Sequence, residues 1–413
     1  MNIATNFTQP EDVGFSAERL AAIPQFFNSY VERGKLAGVS TLVARHGEVA
    51  HFETMGKASL EDGRAMEKDT IFRIYSMTKP ITSLALMMLY EEGRFQLTHE
   101  VSRYIPAFKD LKVWDGGDAD DYKTRALERP MTIRDLLTHT SGLTYGFMHA
   151  HPVDALYRRA DLDGARTGDI TLEEMAARLA EIPLLFSPGT HWSYSMATDV
   201  CGYLVEVLSG QTLDAFFASR IFKPLGMVDT GFDVPADKLG RLAANYEKHP
   251  TTKVTSLADP GSDASIYARP RRFLSGGGGL VSTMSDYYRF CQMMLNGGVL
   301  GGVRLVSRKT VETMTMNHLP DGQTMQEMDR SAFSETGMEG AGFGLGFSVI
   351  VDPAAAQSVC SAGNYSWGGL ASTYFWIDPE EDLIGILMTQ LMPSRAYPLR
   401  PQLQQLVYGS MTD

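Results

Sequence analysis

Apolar residues recur at helical spacing over 16–33 (Leu20, Ile23, Phe26, Phe27, Tyr30). Ser16 stands where a helix cap would and Gly34 and Gly38 follow, so the pattern predicts an N-terminal helix. The next stretch, GVSTLVARHGEVAHFETMG, places two β-rich runs on either side of His46-Gly47 and predicts a hairpin. Towards the other end, FGLGFSVIVDP and LASTYFWIDPEEDLIGILMTQL predict further antiparallel strands with an acidic turn at 379–382, and PLRPQLQQLVYGSM predicts a closing helix. Between them the pattern is mostly helical, as in SMTKPITSLALMMLYEEG, TLEEMAARLAEI and YSMATDVCGYLVEVLSG. This arrangement predicts an α+β fold: an antiparallel sheet built from both termini and flanked by helices, with an inserted all-helical domain. The expected boundaries are 1–75 with 271–413 for the sheet domain and 76–270 for the helical one. The polar stretch 109–129 reads as a surface loop or small excursion, and the glycine run at 275–279 as a tight packed turn leading into a helix.

Composition narrows the function. The 413 residues are 44% hydrophobic and 21% charged, which is globular rather than disordered. A net charge of −12 argues against a phosphate-backbone binder, so no nucleic-acid partner is expected. The longest apolar run, near 81–90, is too short to span a bilayer, and the first residues lack a basic segment followed by an apolar core. No membrane partner and a cytoplasmic location are therefore expected. Cys201, Cys291 and Cys360 lie far apart with no paired spacing, which leaves no disulfide framework or zinc site to expect.

Three short segments could carry chemistry. In Ser76-Met77-Thr78-Lys79, Pro80 confines Ser76 to the first turn of a helix or just before it, and residues i and i+3 share a face. Hydroxyl and amine then meet by local geometry, although chance alone supplies about one such spacing in a chain this long. Tyr194, in HWSYSMATD, stands at the entrance of another helix, where its phenol could exchange a proton with an ammonium neighbour. Ser366-Trp367-Gly368-Gly369-Leu370 leads into a strand, and its glycines allow a substrate to approach the backbone. A backbone N–H there could pair with that of Ser76 as an oxyanion hole. His139, near a helix end beside Thr140 and Ser141, reads as a structural hydrogen-bonding histidine. G-x-S-x-G and H-E-x-x-H are absent.

In order and together, these segments resemble the serine β-lactamase and penicillin-binding superfamily, and most closely the family VIII carboxylesterases. LLTHTSGL (136–143), FSPGTHWSYS (186–195), IFKPLGM (221–227) and SGGGGLVST (275–283) extend the resemblance over most of the chain. It implies an active site between the sheet domain and the helical domain. Ser76 would be the nucleophile, Lys79 and Tyr194 the proton-transfer pair, and the N–H groups of Ser76 and Leu370 the oxyanion hole. Tyr145, Met196, Trp367, Gly368 and Gly369 would contact substrate. Two positions depart from the wider superfamily. Met196 stands where an asparagine would grip a β-lactam or peptide amide, and Trp367 where a lysine would hold a carboxylate. Losing such a charge-assisted contact costs about 1.5–3 kcal/mol, or roughly 10- to 150-fold in binding.

The function expected is a serine hydrolase that cleaves small neutral, partly apolar carboxylic esters through an acyl-serine intermediate, with at most weak β-lactamase activity. An acyltransferase or amidase/peptidase is the alternative within the same chemistry, and a penicillin-binding sensor that acylates without turnover is the alternative outside it. Covalent serine chemistry implies no metal and no organic cofactor. The oligomeric state is not legible.

Overall fold

A computed structural model describes residues 7–164, 167–330 and 334–413. Its centre is a seven-stranded antiparallel sheet made of β1 (Gly38–Arg45), β2 (Glu48–Gly56), β3 (Ala341–Phe343), β4 (Ser348–Ile350), β5 (Tyr365–Gly368), β6 (Tyr374–Asp378) and β7 (Leu383–Thr389). The order across the sheet is β3-β4-β5-β6-β7-β1-β2. Residues far apart in sequence thus pair side by side, Val39 with Thr389 and Arg45 with Leu383. The sheet is assembled from both termini, as the strand pattern predicted. The β1–β2 turn uses His46 (φ 56°) and Gly47 (φ 77°), the left-handed pair that a tight hairpin requires.

Alternation along the strands explains why both sheet faces are buried. Val39, Val43, Trp376, Leu383 and Leu387 face α1 (Ala22–Glu32) and the closing helix Leu399–Tyr408. Leu42, Ala44, Phe375, Ile377, Ile384 and Ile386 face the opposite way, where the helix Met284–Leu295 contributes Tyr287, Phe290 and Cys291. Gly385 lies opposite Trp376, and a Cβ there would come within 2.0 Å of the indole. The expected helix over 16–33 is broken into Ala17–Leu20 and α1. Pro24 is the reason, since its ring excludes the i−4 hydrogen bond that a continuous helix needs. Segments from the two ends of the sequence pair: Ser16 N donates to Ser410 O at 2.8 Å, and Thr412 N to Gly14 O at 2.9 Å.

The helical region centres on α2 (Thr78–Glu91), whose residues 78–89 are all buried. It packs against α3 (Ala197–Ser209), and we number the helices over Met284–Leu295 and Leu399–Tyr408 as α4 and α5. A helix buried on every side belongs in the middle of a core. The stretch expected as a surface loop or small excursion at 109–129 is a small hairpin, Val113–Gly117 with Tyr122–Arg125. Trp114 stacks on Tyr122 at 5.3 Å, and Asp118 closes the turn by accepting from the N–H groups of Asp120 and Asp121. The segment after the glycine run is a strand, Val281–Thr283, before α4 begins. No helix among the described residues is long and apolar enough to cross a membrane.

Candidate active site

Ser76 lies in a single 3-10 turn, Tyr75–Met77, at the entrance of α2. Tyr75 holds a φ of 42°, a left-handed conformation that costs a non-glycine residue about 1–3 kcal/mol. Asn245 donates to the Tyr75 hydroxyl at 2.9 Å and helps fix it. Lys79 follows one turn later and is 1% exposed. Its Nζ lies 3.2 Å from Ser76 Oγ, 2.9 Å from the Tyr145 hydroxyl and 2.7 Å from the Gly277 carbonyl oxygen.

Tyr194 arrives from 118 residues away. Its hydroxyl donates to Ser76 Oγ at 2.5 Å. Two backbone bonds place it: Ser193 N donates to His139 O at 2.9 Å, and Met196 N to Thr144 O at 3.2 Å. The backbone from His139 to Thr144 is therefore a cradle for the tyrosine. The His139 ring packs edge-on against Tyr194 at 5.1 Å, and its Nδ1 pairs with Ser195 Oγ at 3.1 Å. It is buried behind the phenol, the structural position expected for it.

Electrostatics separate Lys79 from Tyr194. Burial pushes the Lys79 ammonium down to about 7, against the opposing pull of Asp199 and Glu335. Burial, reinforced by Glu335, pushes the Tyr194 phenol well above its usual range. Tyr145 is raised in the same way, by burial first and then by Tyr194. At neutral pH the site thus combines an amine that can be neutral with phenols that keep their protons. The Gly277 carbonyl can only accept, so it takes one amine N–H. With a second N–H directed at Tyr145, the lone pair of the neutral amine is left for Ser76.

The turn after β5 closes the site. Gly369 sits against the segment before Ser76: a Cβ there would lie 2.3 Å from the Ile74 carbonyl oxygen. A Cβ on Gly368 would lie 2.4 Å from the Arg400 guanidinium carbon. Leu370, Ser76 and Tyr145 line one cavity of about 200 Å³, together with Tyr75, Phe147, Met392 and Pro393. Trp367 is fully buried, with its ring 5.4 Å from that of Tyr194. Met196 is likewise fully buried, in the core. Trp367, Gly368, Gly369 and Met196 are not among the described residues lining the cavity, and they stand behind its wall.

Three groups were not singled out from the sequence. Gly277, in the glycine run, supplies the carbonyl that receives Lys79. Asp199, on α3, accepts from Ser275 Oγ at 2.5 Å and Gly277 N at 3.0 Å and so anchors that run. A Cβ on Gly277 would meet the Asp199 carboxylate at 2.5 Å, which is why this turn is glycine. Glu335 is 2% exposed, lines the cavity and pairs with Arg400 at 3.1 Å. The available signals were an acid five residues after Tyr194 and a charged residue among the apolar positions of the closing helix.

Fold and site together define a serine hydrolase of the β-lactamase and transpeptidase architecture. The chain belongs to the Beta-lactamase family, whose model matches residues 23–408. It is 33% identical over 412 residues to Esterase EstB of Burkholderia gladioli, covering 96% of each chain. It is 35% identical over 367 residues to Protein Rv1367c of Mycobacterium tuberculosis, covering 88% of each. Among solved structures it is similar to EstCE1, "a hydrolase with promiscuous acyltransferase activity". That match has a TM-score of 0.78 at 27% identity and covers 95% of this chain and 98% of that one.

Proposed function

We propose that the protein is a serine carboxylesterase for small neutral esters, working through an acyl-Ser76 intermediate. The observation that carries this is the convergence of Lys79 and Tyr194 on Ser76 Oγ, at 3.2 and 2.5 Å. Ser76 Oγ attacks the ester carbonyl as its proton passes to neutral Lys79. The N–H groups of Ser76 and Leu370 hold the oxyanion. When the C–O bond to the alcohol breaks, the proton returns through Tyr194 to the departing alkoxide. Water then attacks the acyl-enzyme by the same route and releases the acid.

Substrate class follows from the cavity wall. Its described charged residues are Asp163, Glu247 and Glu335, with no lysine or arginine among them. Such a wall repels a substrate carboxylate, consistent with tryptophan at 367. The volume of about 200 Å³ falls below the roughly 300–1,000 Å³ of drug-sized sites, which favours short acyl groups. The test is a series of p-nitrophenyl esters of rising chain length alongside nitrocefin, on wild type and Ser76→Ala. Expected are turnover that falls with chain length, little nitrocefin cleavage, and an acyl adduct on wild type that Ser76→Ala lacks. An adduct that persists in Ser76→Ala but disappears in Ser366→Ala would refute the assignment.

The likeness to EstCE1 favours one second reading, acyl transfer to an alcohol in place of water. Product analysis with added alcohols separates the two.

A further inference from the structure

We propose that Arg400 is a positioning residue for the oxyanion site: by gripping the Gly369 carbonyl it turns the Leu370 N–H towards the Ser76 oxygen. This rests on the reading of Ser76 as nucleophile. The Gly369 C=O and the Leu370 N–H belong to one planar peptide group. The one cis bond in the described chain is Met392–Pro393, so the 369–370 peptide is trans and its C=O and N–H point in opposite directions. Arg400 Nη2 donates to Gly369 O at 2.8 Å and to Thr373 O at 3.0 Å, and Ser372 N donates to Gly369 O at 3.0 Å. Arg400 does not line the Ser76 cavity but a neighbouring one of about 460 Å³. The carbonyl therefore faces away from the catalytic cavity, and the N–H faces into it. No described hydrogen bond uses the Leu370 N–H.

The arginine is itself held firmly. It lies in the first turn of α5, 9% exposed, on the face that buries Leu399, Leu403 and Val407. Glu335 binds it twice, through its carbonyl and through its carboxylate at 3.1 Å. Gly368 lacks the Cβ that would strike the guanidinium. The two glycines after Trp367 thus do different work, Gly368 admitting Arg400 and Gly369 admitting the Ile74 carbonyl. A charged donor on the carbonyl also polarises its peptide and strengthens the N–H as a donor.

The experiment compares wild type, Arg400→Met, Arg400→Lys and Gly368→Ala, with active sites counted by the p-nitrophenol burst. Removing an oxyanion donor costs about 10²–10³ in kcat, so misorienting one should lower kcat per titrated site by about 10- to 100-fold in Arg400→Met, with KM within about threefold. Gly368→Ala, which displaces the guanidinium but keeps its charge, should lose kcat likewise, and Arg400→Lys should lose less. Affinity for an alkylboronic acid should fall in step with kcat/KM. A second readout is the acid limb of kcat/KM. Lys79 is faced by Ser76, Tyr145, Tyr194, His139, Asp199 and Glu335. Removing the Arg400 charge leaves Glu335 uncompensated, so the limb should move to higher pH in Arg400→Met and return when Glu335→Gln is added. A structural role alone would lower the titratable fraction and move neither kcat per site nor the limb. If both Arg400→Met and Gly368→Ala keep kcat per site within about threefold of wild type, the proposal is overturned. A wild type that never acylates removes the nucleophile reading and the proposal with it.

Discussion

At the scale of single residues the site is a problem of proton affinity. Lys79 falls to about 7 from an ordinary 10.5 because burial disfavours the ammonium. On the proposed mechanism its neutral form is the base, so kcat/KM should rise as pH passes through about 7 and level off above, as read from initial rates between pH 5 and 9. Lys79→Met should lower kcat/KM by about 10²–10⁴-fold, the usual contribution of a positioned base. The same variant should melt at a higher temperature at pH 7. Between pH 7 and 10.5 the unfolded lysine binds the proton that the folded one has shed, so wild-type stability rises with pH across that window. Methionine removes the cost, and calorimetry at pH 7 and 9 should show the gap narrowing. Ser76 and Lys79 were legible in the sequence because they are one helical turn apart. Tyr194 required the family pattern, since no local rule links positions 118 apart. Asp199, Gly277 and Glu335 were not legible: their partners are set by packing, and Glu335 lies in a stretch without periodicity.

At the scale of elements, close backbone approach decides more than helix or strand propensity. Gly369→Ala should lower ester turnover by 10²-fold or more with its circular dichroism unchanged, because a methyl 2.3 Å from the Ile74 carbonyl must push the 367–373 turn away from Ser76. Gly385→Ala acts elsewhere, forcing a methyl into the Trp376 indole, and should cost about 1–3 kcal/mol in urea unfolding with kcat unchanged. The hairpin at 38–56 and the strands at 374–389 were legible from runs of β-favouring residues set off by turn residues. The small hairpin at 113–125 was not. Its burial is confined to Val113 and part of Trp114, so polar residues dominate the pattern. The strand Val281–Thr283 was hidden for another reason, since three residues paired with Ile71–Arg73 are too few to show a period.

At the scale of the whole molecule, the turn that brings Leu370 to Ser76 follows a strand of a sheet that neither half of the chain could form alone. β1, from the start of the chain, pairs directly with β7, from its end, and α1 and α5 cover the same face. Cutting the chain before Leu399 should therefore give an insoluble or molten product, visible in dye binding and loss of near-ultraviolet dichroism, since it uncovers Trp376 and Leu387 and also removes Arg400. The antiparallel order was foreseeable because strands clustered at both ends with no alternating helices between them. The pairing Val39–Thr389 brings a further freedom. With Gly14 and Thr412 already hydrogen-bonded, those two positions could be spliced by a few flexible residues and the ring reopened at the exposed tip 118–121. Such a circular permutant should still fold and turn over esters, because the order in which the polymer is threaded matters less to this enzyme than the neighbours it ends with.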